Sequence, residues 1–200
     1  MTVIGLCGGS GSGKGTVARL FEGYGVPSID ADAVYRDITV PGSELIKKLA
    51  LTFGDSIIDK HGGLDRVALA KIVFDPTNKS ELDKLNKITH EFVIRETVRR
   101  IDVLGSEGCE FVIFDAPLLF ESGFNEKCAL IISVLADKDI RIKRITARDG
   151  ITPERAEARI ASQLSNEYLI ERSDFVIYNN GSEQELAAQV APIANKILKR

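Results

Sequence analysis

Gly8-Gly9-Ser10-Gly11-Ser12-Gly13-Lys14-Gly15-Thr16 stands between the apolar run Val3-Ile4-Gly5-Leu6 and the helical pattern Val17-Ala18-Arg19-Leu20-Phe21. A glycine loop that closes a buried strand and opens a helix is the setting of a P-loop. Its glycines let the backbone curl until several N–H groups point inward, and the helix that follows adds its positive end. Lys14 supplies a mobile cation for β- and γ-phosphates. Residues Gly9 to Thr16 are therefore expected to cradle the phosphates of a nucleotide.

Working outward, four more short apolar, β-branched runs follow: Val26 to Ile29, Phe111-Val112-Ile113-Phe114, Leu130 to Leu135 and Phe175-Val176-Ile177-Tyr178. With the first run they read as five buried parallel strands. Helical patterns separate them. The clearest spans Ser80 to Leu104, where Leu82, Leu85, Ile88, Phe92, Val98 and Ile101 mostly keep three-or-four spacing. Thr152-Pro153 supplies an N-cap and a proline at the first helical position, and Ser182 to Glu185 has capping-box spacing, which predicts a last helix over Glu183 to Leu198. Gly62-Gly63 and Gly105 to Gly108 read as turns. The expected fold is α/β, a three-layer P-loop fold with a five-stranded parallel sheet. Its core comprises residues 1–30, 106–137 and 173–200, with a helical insertion over 31–105 and a mobile lid over 138–172.

Composition fits one soluble globular domain: 200 residues, 44% hydrophobic and 28% charged. Lys and Arg number 26 against 29 acidic residues, a net charge of −3, so the uniform positive field of a general nucleic-acid binder is absent. Cys7, Cys109 and Cys128 are odd in number and far apart, which argues against a disulfide framework or a zinc site. The N-terminus has no cationic n-region or cleavage site. The longest apolar stretch, Cys128 to Ala136, is less than half of the about 20 residues that span a bilayer. A cytoplasmic protein with no nucleic-acid or membrane partner is expected.

A P-loop does not select a reaction. A GTPase needs an Asn-Lys-x-Asp base reader, and Asn86-Lys87-Ile88-Thr89 lacks the aspartate. A transport ATPase needs a signature loop and a longer chain. A small-molecule kinase or a non-catalytic nucleotide sensor remains. Asp30-Ala31-Asp32 closes the second strand, at the carboxyl edge where such sheets bind ligands. Asp32 is the candidate to accept or orient the proton of an attacking hydroxyl; the alternative is a helix N-cap. Asp115 ends a buried strand in the manner of a Walker B carboxylate and is the candidate to help hold hydrated Mg2+. The segment Ala116 to Glu121 brings apolar bulk and a carboxylate to the same edge. From Lys138 to Arg159 seven basic residues face four acidic ones, with Arg141, Arg144 and Arg148 on one helical face, fit to close over a triphosphate. His61 reads as a turn residue, and His90 as either a structural histidine or a donor to substrate.

At the usual hydroxyl position of the loop stands Gly15, with Thr16 next. The loop here resembles that of adenylate kinases, which also carry Gly-Lys-Gly-Thr, and Thr16 stays a candidate for the metal. Along the whole chain the order of motifs resembles the dephospho-coenzyme A kinases: the loop, Ile29-Asp30-Ala31-Asp32 with Arg36, Phe53-Gly54, then Gly63-Leu64-Asp65-Arg66. It continues through Phe74, His90, Pro117-Leu118-Leu119-Phe120-Glu121, Arg144, Arg148-Asp149, Gln163 and Asn179-Asn180-Gly181. The resemblance implies ATP-dependent phosphorylation of the ribose 3′-hydroxyl of dephospho-coenzyme A, the last step of coenzyme A synthesis. It implies that Asp32 activates the hydroxyl, that Lys14, Arg144 and Arg148 hold phosphates, and that the helical insertion embraces the acceptor. Leu118, Leu119, Phe120 and Glu121 then line the acceptor pocket with Arg36 and His90 nearby, and Asn180 approaches the adenine. ATP, Mg2+ and dephospho-coenzyme A are the implied partners; separately, a monomer is expected, with an oligomer left open. Gly15 in place of the family's serine bears on the metal shell, and Glu91, where proline is common, bears on His90. A nucleoside monophosphate kinase is the alternative enzyme, and a non-catalytic nucleotide-binding regulator the alternative class.

Overall fold

The computed structural model describes residues 1–75 and 80–199. In chain order the elements are β1 (Thr2–Cys7), α1 (Lys14–Glu22), β2 (Ser28–Asp30), α2 (Ala31–Ile38), α3 (Glu44–Phe53), α4 (Arg66–Val73) and α5 (Ser80–Ser106). Then come β3 (Phe111–Asp115), β4 (Leu130–Leu135), α6 (Lys138–Asp149), α7 (Pro153–Ala161), α8 (Asn166–Glu171), β5 (Phe175–Tyr178) and α9 (Glu183–Leu198). Two compact units result, one formed by Met1–Asp30 with Leu104–Arg200, the other by Ala31–Val103.

The first unit holds the parallel sheet, in the order β2-β3-β1-β4-β5. β1 is central because it is apolar on both faces: Ile4 and Leu6 are sealed under α1 and α9, while Gly5 and Cys7 face the other way. Phe21, Val17, Val190 and Ile197 complete the α1 and α9 side. Full burial of each large side chain contributes about 1.5–3 kcal/mol. On the opposite face the Leu119 side chain would lie 2.8 Å from a Cβ at Gly5, which is why the strand carries glycine there. Ser133, buried on β4, is satisfied by Ser173 Oγ at 2.6 Å and Cys7 Sγ at 3.0 Å. Register places Leu6, Asp115 and Asp30 side by side, so β1, β3 and β2 deliver their carboxyl ends to one edge.

The second unit is helical, with one isolated antiparallel bridge, Ile58 to Leu64. Ser43 caps α3 by accepting from the Ile46 N–H, and Asp65 caps α4 by accepting from Val67 and Ala68. Leu45, Leu49, Ile57, Leu69 and Val73 form its core, with Leu82, Leu85, Ile88 and Phe92 of α5 packed against them. Arg100 is held by Glu96 at 2.9 Å and Asp37 at 2.8 Å, tying α5 to α2.

Several sequence expectations shift. The second strand is Ser28–Asp30 rather than Val26 to Ile29, because Val26 is spent closing the turn from α1 through its N–H to the Phe21 carbonyl. Gly105 lies in the last turn of α5 rather than in a loop turn. The apolar stretch from Cys128 becomes strand only from Leu130, and Cys128 itself caps a short 3-10 turn (Phe124–Lys127) ahead of β4. Burial pushes its thiol up to about 12. The last helix forms over Glu183–Leu198 with the reciprocal capping box of Ser182 and Glu185 in place.

Candidate active site

Helix α1 begins without a side-chain cap: Gly13 precedes it in the left-handed region, at φ 95°, and no acidic residue follows in the first turn. Its first N–H groups are thus left for an anion, with the helix dipole behind them. Gly13 is required twice over, by that φ and because an added Cβ would lie 2.1 Å from Asn179 Nδ2. Ser12 Oγ is buried in the loop and has no hydrogen-bond partner among the described residues. A buried polar atom left unmet costs about 1–3 kcal/mol, a cost that suits a loop completed by a ligand.

Lys14 Nζ lies 4.0 Å from Asp115 Oδ1, both side chains only 15% exposed. The lysine predicted for phosphate and the carboxylate predicted for the metal are therefore brought together at the carboxyl end of β3. Gly9 and Gly8 share a pocket with Leu118, Phe120, Glu121 and Gln163. Leu119 is a correction: it is 0% exposed, a core side chain against Gly5, and cannot line an acceptor pocket. Leu118, by contrast, is exposed, and Phe120 packs edge-on against Tyr168 of α8, ring centroids 5.5 Å apart.

On the other side of the loop, Gly13, Thr16, Arg144, Asn179 and Gly181 line a second pocket. Thr16 stands there, its hydroxyl accepting from Arg19 Nη2 at 3.2 Å. Arg144 donates through Nη1 to the carbonyls of Gly11 at 3.3 Å and Asn179 at 2.9 Å. Of the adjacent asparagines, Asn179 reaches the loop, donating to the Ser12 carbonyl at 2.8 Å, whereas Asn180 Oδ1 accepts from the Asp137 N–H. Arg148 is exposed and ion-pairs with its neighbour Asp149 at 2.6 Å. Two guanidinium groups, of Arg148 and Arg159, hold the Asp149 carboxyl far below the usual carboxylate range. The first helix of the segment expected to move is packed on the loop: Arg141 is 5% exposed and Ile145 fully buried. Arg141 and Gln163 both bond to Ser10. Sequence reading treated Arg141 only as a lid cation and missed the loop-holding parts of Gln163 and Asn179, since no local pattern marks a side chain that meets the loop from over a hundred residues away.

Asp32, Arg36 and His90 belong to the second unit. Asp32 is exposed in the first turn of α2, which starts at Ala31, so it is not the residue that precedes the helix. Arg36 is exposed in the last turn of α2, and His90 is half-buried midway along α5.

Among the described residues no group of three or more His, Cys, Asp or Glu side chains could hold a metal ion. A Mg2+ that takes most of its ligands from phosphate and water needs less, and one carboxylate at the carboxyl end of β3, Asp115, fits that need, whereas the Thr16 hydroxyl stands in the pocket on the other side of the loop. No helix of the described residues is long and apolar enough to cross a membrane.

Comparison with known proteins agrees with this geometry. The family model for dephospho-CoA kinase matches residues 2–185. The dephospho-CoA kinase of Corynebacterium glutamicum is 38% identical over 200 residues, covering 100% of this chain and 99% of that one. That of Fusobacterium nucleatum is 41% identical over 188 residues, 94% of each. Among solved structures, the dephospho-CoA kinase from Campylobacter jejuni superposes with a TM-score of 0.70 at 27% identity, over 98% of this chain and 97% of that one. With its glycine loop, its parallel sheet and its helical second unit, this chain belongs to the dephospho-CoA kinase family.

Proposed function

We propose that this chain transfers the γ-phosphoryl group of ATP to the ribose 3′-hydroxyl of dephospho-coenzyme A, yielding coenzyme A and ADP. The observation that carries the reading is the uncapped start of α1 under a glycine loop, with Lys14 4.0 Å from Asp115, in a chain matched to this family from residue 2 to 185.

In this reading the loop Gly9 to Thr16, through the N–H groups other than those of Ser10 and Ser12, and the Lys14 ammonium bind the β- and γ-phosphates, and Arg144 and Arg148 spread charge over the moving phosphoryl group. Asp115 would help hold a hydrated Mg2+ through its carboxylate, with Thr16 as the loop's candidate hydroxyl, and the ion would supply charge neutralisation at the phosphates. Asp32 accepts the proton of the attacking 3′-hydroxyl. Leu118, Phe120, Glu121, Arg36 and His90 orient the acceptor, and the loop around Asn180 receives the adenine. The 138–172 segment covers the phosphates as the lid and excludes water, which would otherwise compete as acceptor.

ADP release measured with dephospho-coenzyme A, AMP, CMP and UMP as acceptors tests this. Turnover is expected with dephospho-coenzyme A alone; turnover only on a monophosphate would replace the reading with that of a nucleoside monophosphate kinase.

A further inference from the structure

All three polar groups of Ser10 are held by two side chains from outside the loop. Its N–H donates to Gln163 Oε1 at 3.0 Å, its carbonyl accepts from Arg141 Nε at 2.8 Å, and its hydroxyl meets Gln163 Nε2 at 3.1 Å. Arg141 Nη2 donates to the same Gln163 Oε1 at 2.6 Å, which closes the ring. The approach is tight: a Cβ on Gly9 would lie 2.1 Å from Arg141 Nη2, and one on Gly11 would lie 2.8 Å from the Arg141 carbonyl oxygen.

We propose that Arg141 and Gln163 are positioning residues for nucleotide binding, a neutral-amide brace that fixes the outer arm of the phosphate loop and keeps a full positive charge behind it. This rests on the kinase reading above only in taking ATP as the ligand.

The charge is the unusual part. Arg141 is 5% exposed, and the hydrogen bonds described for its guanidinium go to a carbonyl and a side-chain amide, both neutral. An arginine stays protonated at any working pH, and a buried cation is expensive unless an anion answers it. Nearby, Lys138 is answered by Glu157, and Arg148 and Arg159 by Asp149, while Arg144, like Arg141, gives its described bonds to neutral groups. Arg141 has no such ion pair among the described residues, and it sits against the loop whose inner face is built for phosphate. Across such a thin, poorly screened layer of backbone the field of a fixed cation acts on an anion bound inside. Gln163 is suited to the task because it accepts from both Ser10 and Arg141 without adding a negative charge.

The decisive variant is Gln163→Glu. A carboxylate of the same length still accepts from the Ser10 N–H and from Arg141, and forms an ion pair with it, so the melting temperature of the protein without nucleotide is expected to hold or rise. The charge behind the loop is cancelled, so ATP is expected to bind about tenfold more weakly, ADP less so and AMP least. Arg141→Gln, which removes the charge and keeps a hydrogen-bonding side chain, is expected to give the same graded loss. Isothermal titration of the three nucleotides with each variant decides it. A purely structural brace would leave ATP affinity within twofold in Gln163→Glu, or weaken all three nucleotides equally in both variants, and either result would overturn the assignment. Because no acceptor is present in these titrations, failure of the proposed function would show separately, as absent turnover of dephospho-coenzyme A by the wild-type enzyme.

Discussion

Asn179, the first residue after the edge strand β5, donates its side-chain Nδ2 to the carbonyl of Ser12 at 2.8 Å, and its own carbonyl accepts from Arg144, which also reaches Gly11. One buried asparagine thus joins the end of the sheet to the loop that follows its central strand. Asn179→Leu is expected to raise the Kd for ATP by about tenfold and to lower the melting temperature by about 2–4 °C. Titration and thermal unfolding check both. Affinity equal to wild type would show that the loop holds its shape without this bond.

Asp32 is the proton acceptor in the reaction proposed above. Asp32→Asn keeps the size and removes the basicity, so kcat is expected to fall by about 10²–10⁴-fold with little change in the Kd for ATP. Single-turnover kinetics beside nucleotide titration separate the two effects. An unchanged rate would remove Asp32 from the chemistry.

Gly15 occupies the position where P-loops usually carry a hydroxyl. A Cβ there would meet nothing within 4 Å, and its φ lies outside the left-handed region. Gly15→Ser therefore fits without strain and adds an oxygen ligand beside the phosphates. The Mg2+ concentration giving half-maximal rate is expected to drop several-fold, about threefold or more, with the melting temperature unchanged. A Mg2+ dependence identical to wild type would place the ion away from residue 15.

Leu118 and Leu119 are neighbours with opposite fates, 48% and 0% exposed. Leu119→Ala empties a core site and is expected to cost about 2–5 kcal/mol of stability, with KM for dephospho-coenzyme A little affected in the protein that stays folded. Leu118→Ala is expected to change stability by no more than about 0.5 kcal/mol and to raise that KM. Denaturant unfolding and steady-state kinetics of the pair test the assignment, and a KM effect confined to Leu119→Ala would reverse it.

Glu96 ties α5 to itself through Arg99 and Arg100, which lower its carboxyl from 4.5 to about 2. A carboxyl depressed on folding stabilises the folded state above its unfolded pKa, and that contribution is lost as pH falls through the folded value. The helical unit is thus expected to lose stability between about pH 4.5 and 2, and Glu96→Gln to flatten this slope while lowering stability at neutral pH. Thermal unfolding followed across that range by circular dichroism measures the slope; an identical slope in the variant would assign the acid sensitivity elsewhere.

Much of this was legible in the chain itself. Val3 to Thr16 reads as strand, loop and helix because each piece obeys a local rule: a doubly buried strand is apolar throughout, a backbone curled around an anion needs glycine, and a helix start needs N–H groups left open. Ser182 and Glu185 announced the last helix by the same kind of local logic, three residues apart. Phe111 to Asp115 carried both a strand and the carboxylate that ends beside Lys14.

What lay beyond local rules depended on which residues the fold brings face to face. Leu118 and Leu119 are the same amino acid in the same apolar run, and only the packing of Leu119 on Gly5 decides that one belongs to the core. Arg141 and Arg144 share a face of α6 with Arg148, yet the first two are absorbed into the glycine loop while the third stays in solvent with Asp149. Ser10 meets Gln163 across 153 residues and Ser12 meets Asn179 across 167. Periodicity and capping are written within a few residues of chain and so can be read there, whereas a hydrogen bond across that distance exists only once the sheet has set the strand order β2-β3-β1-β4-β5 and carried both partners to the same edge.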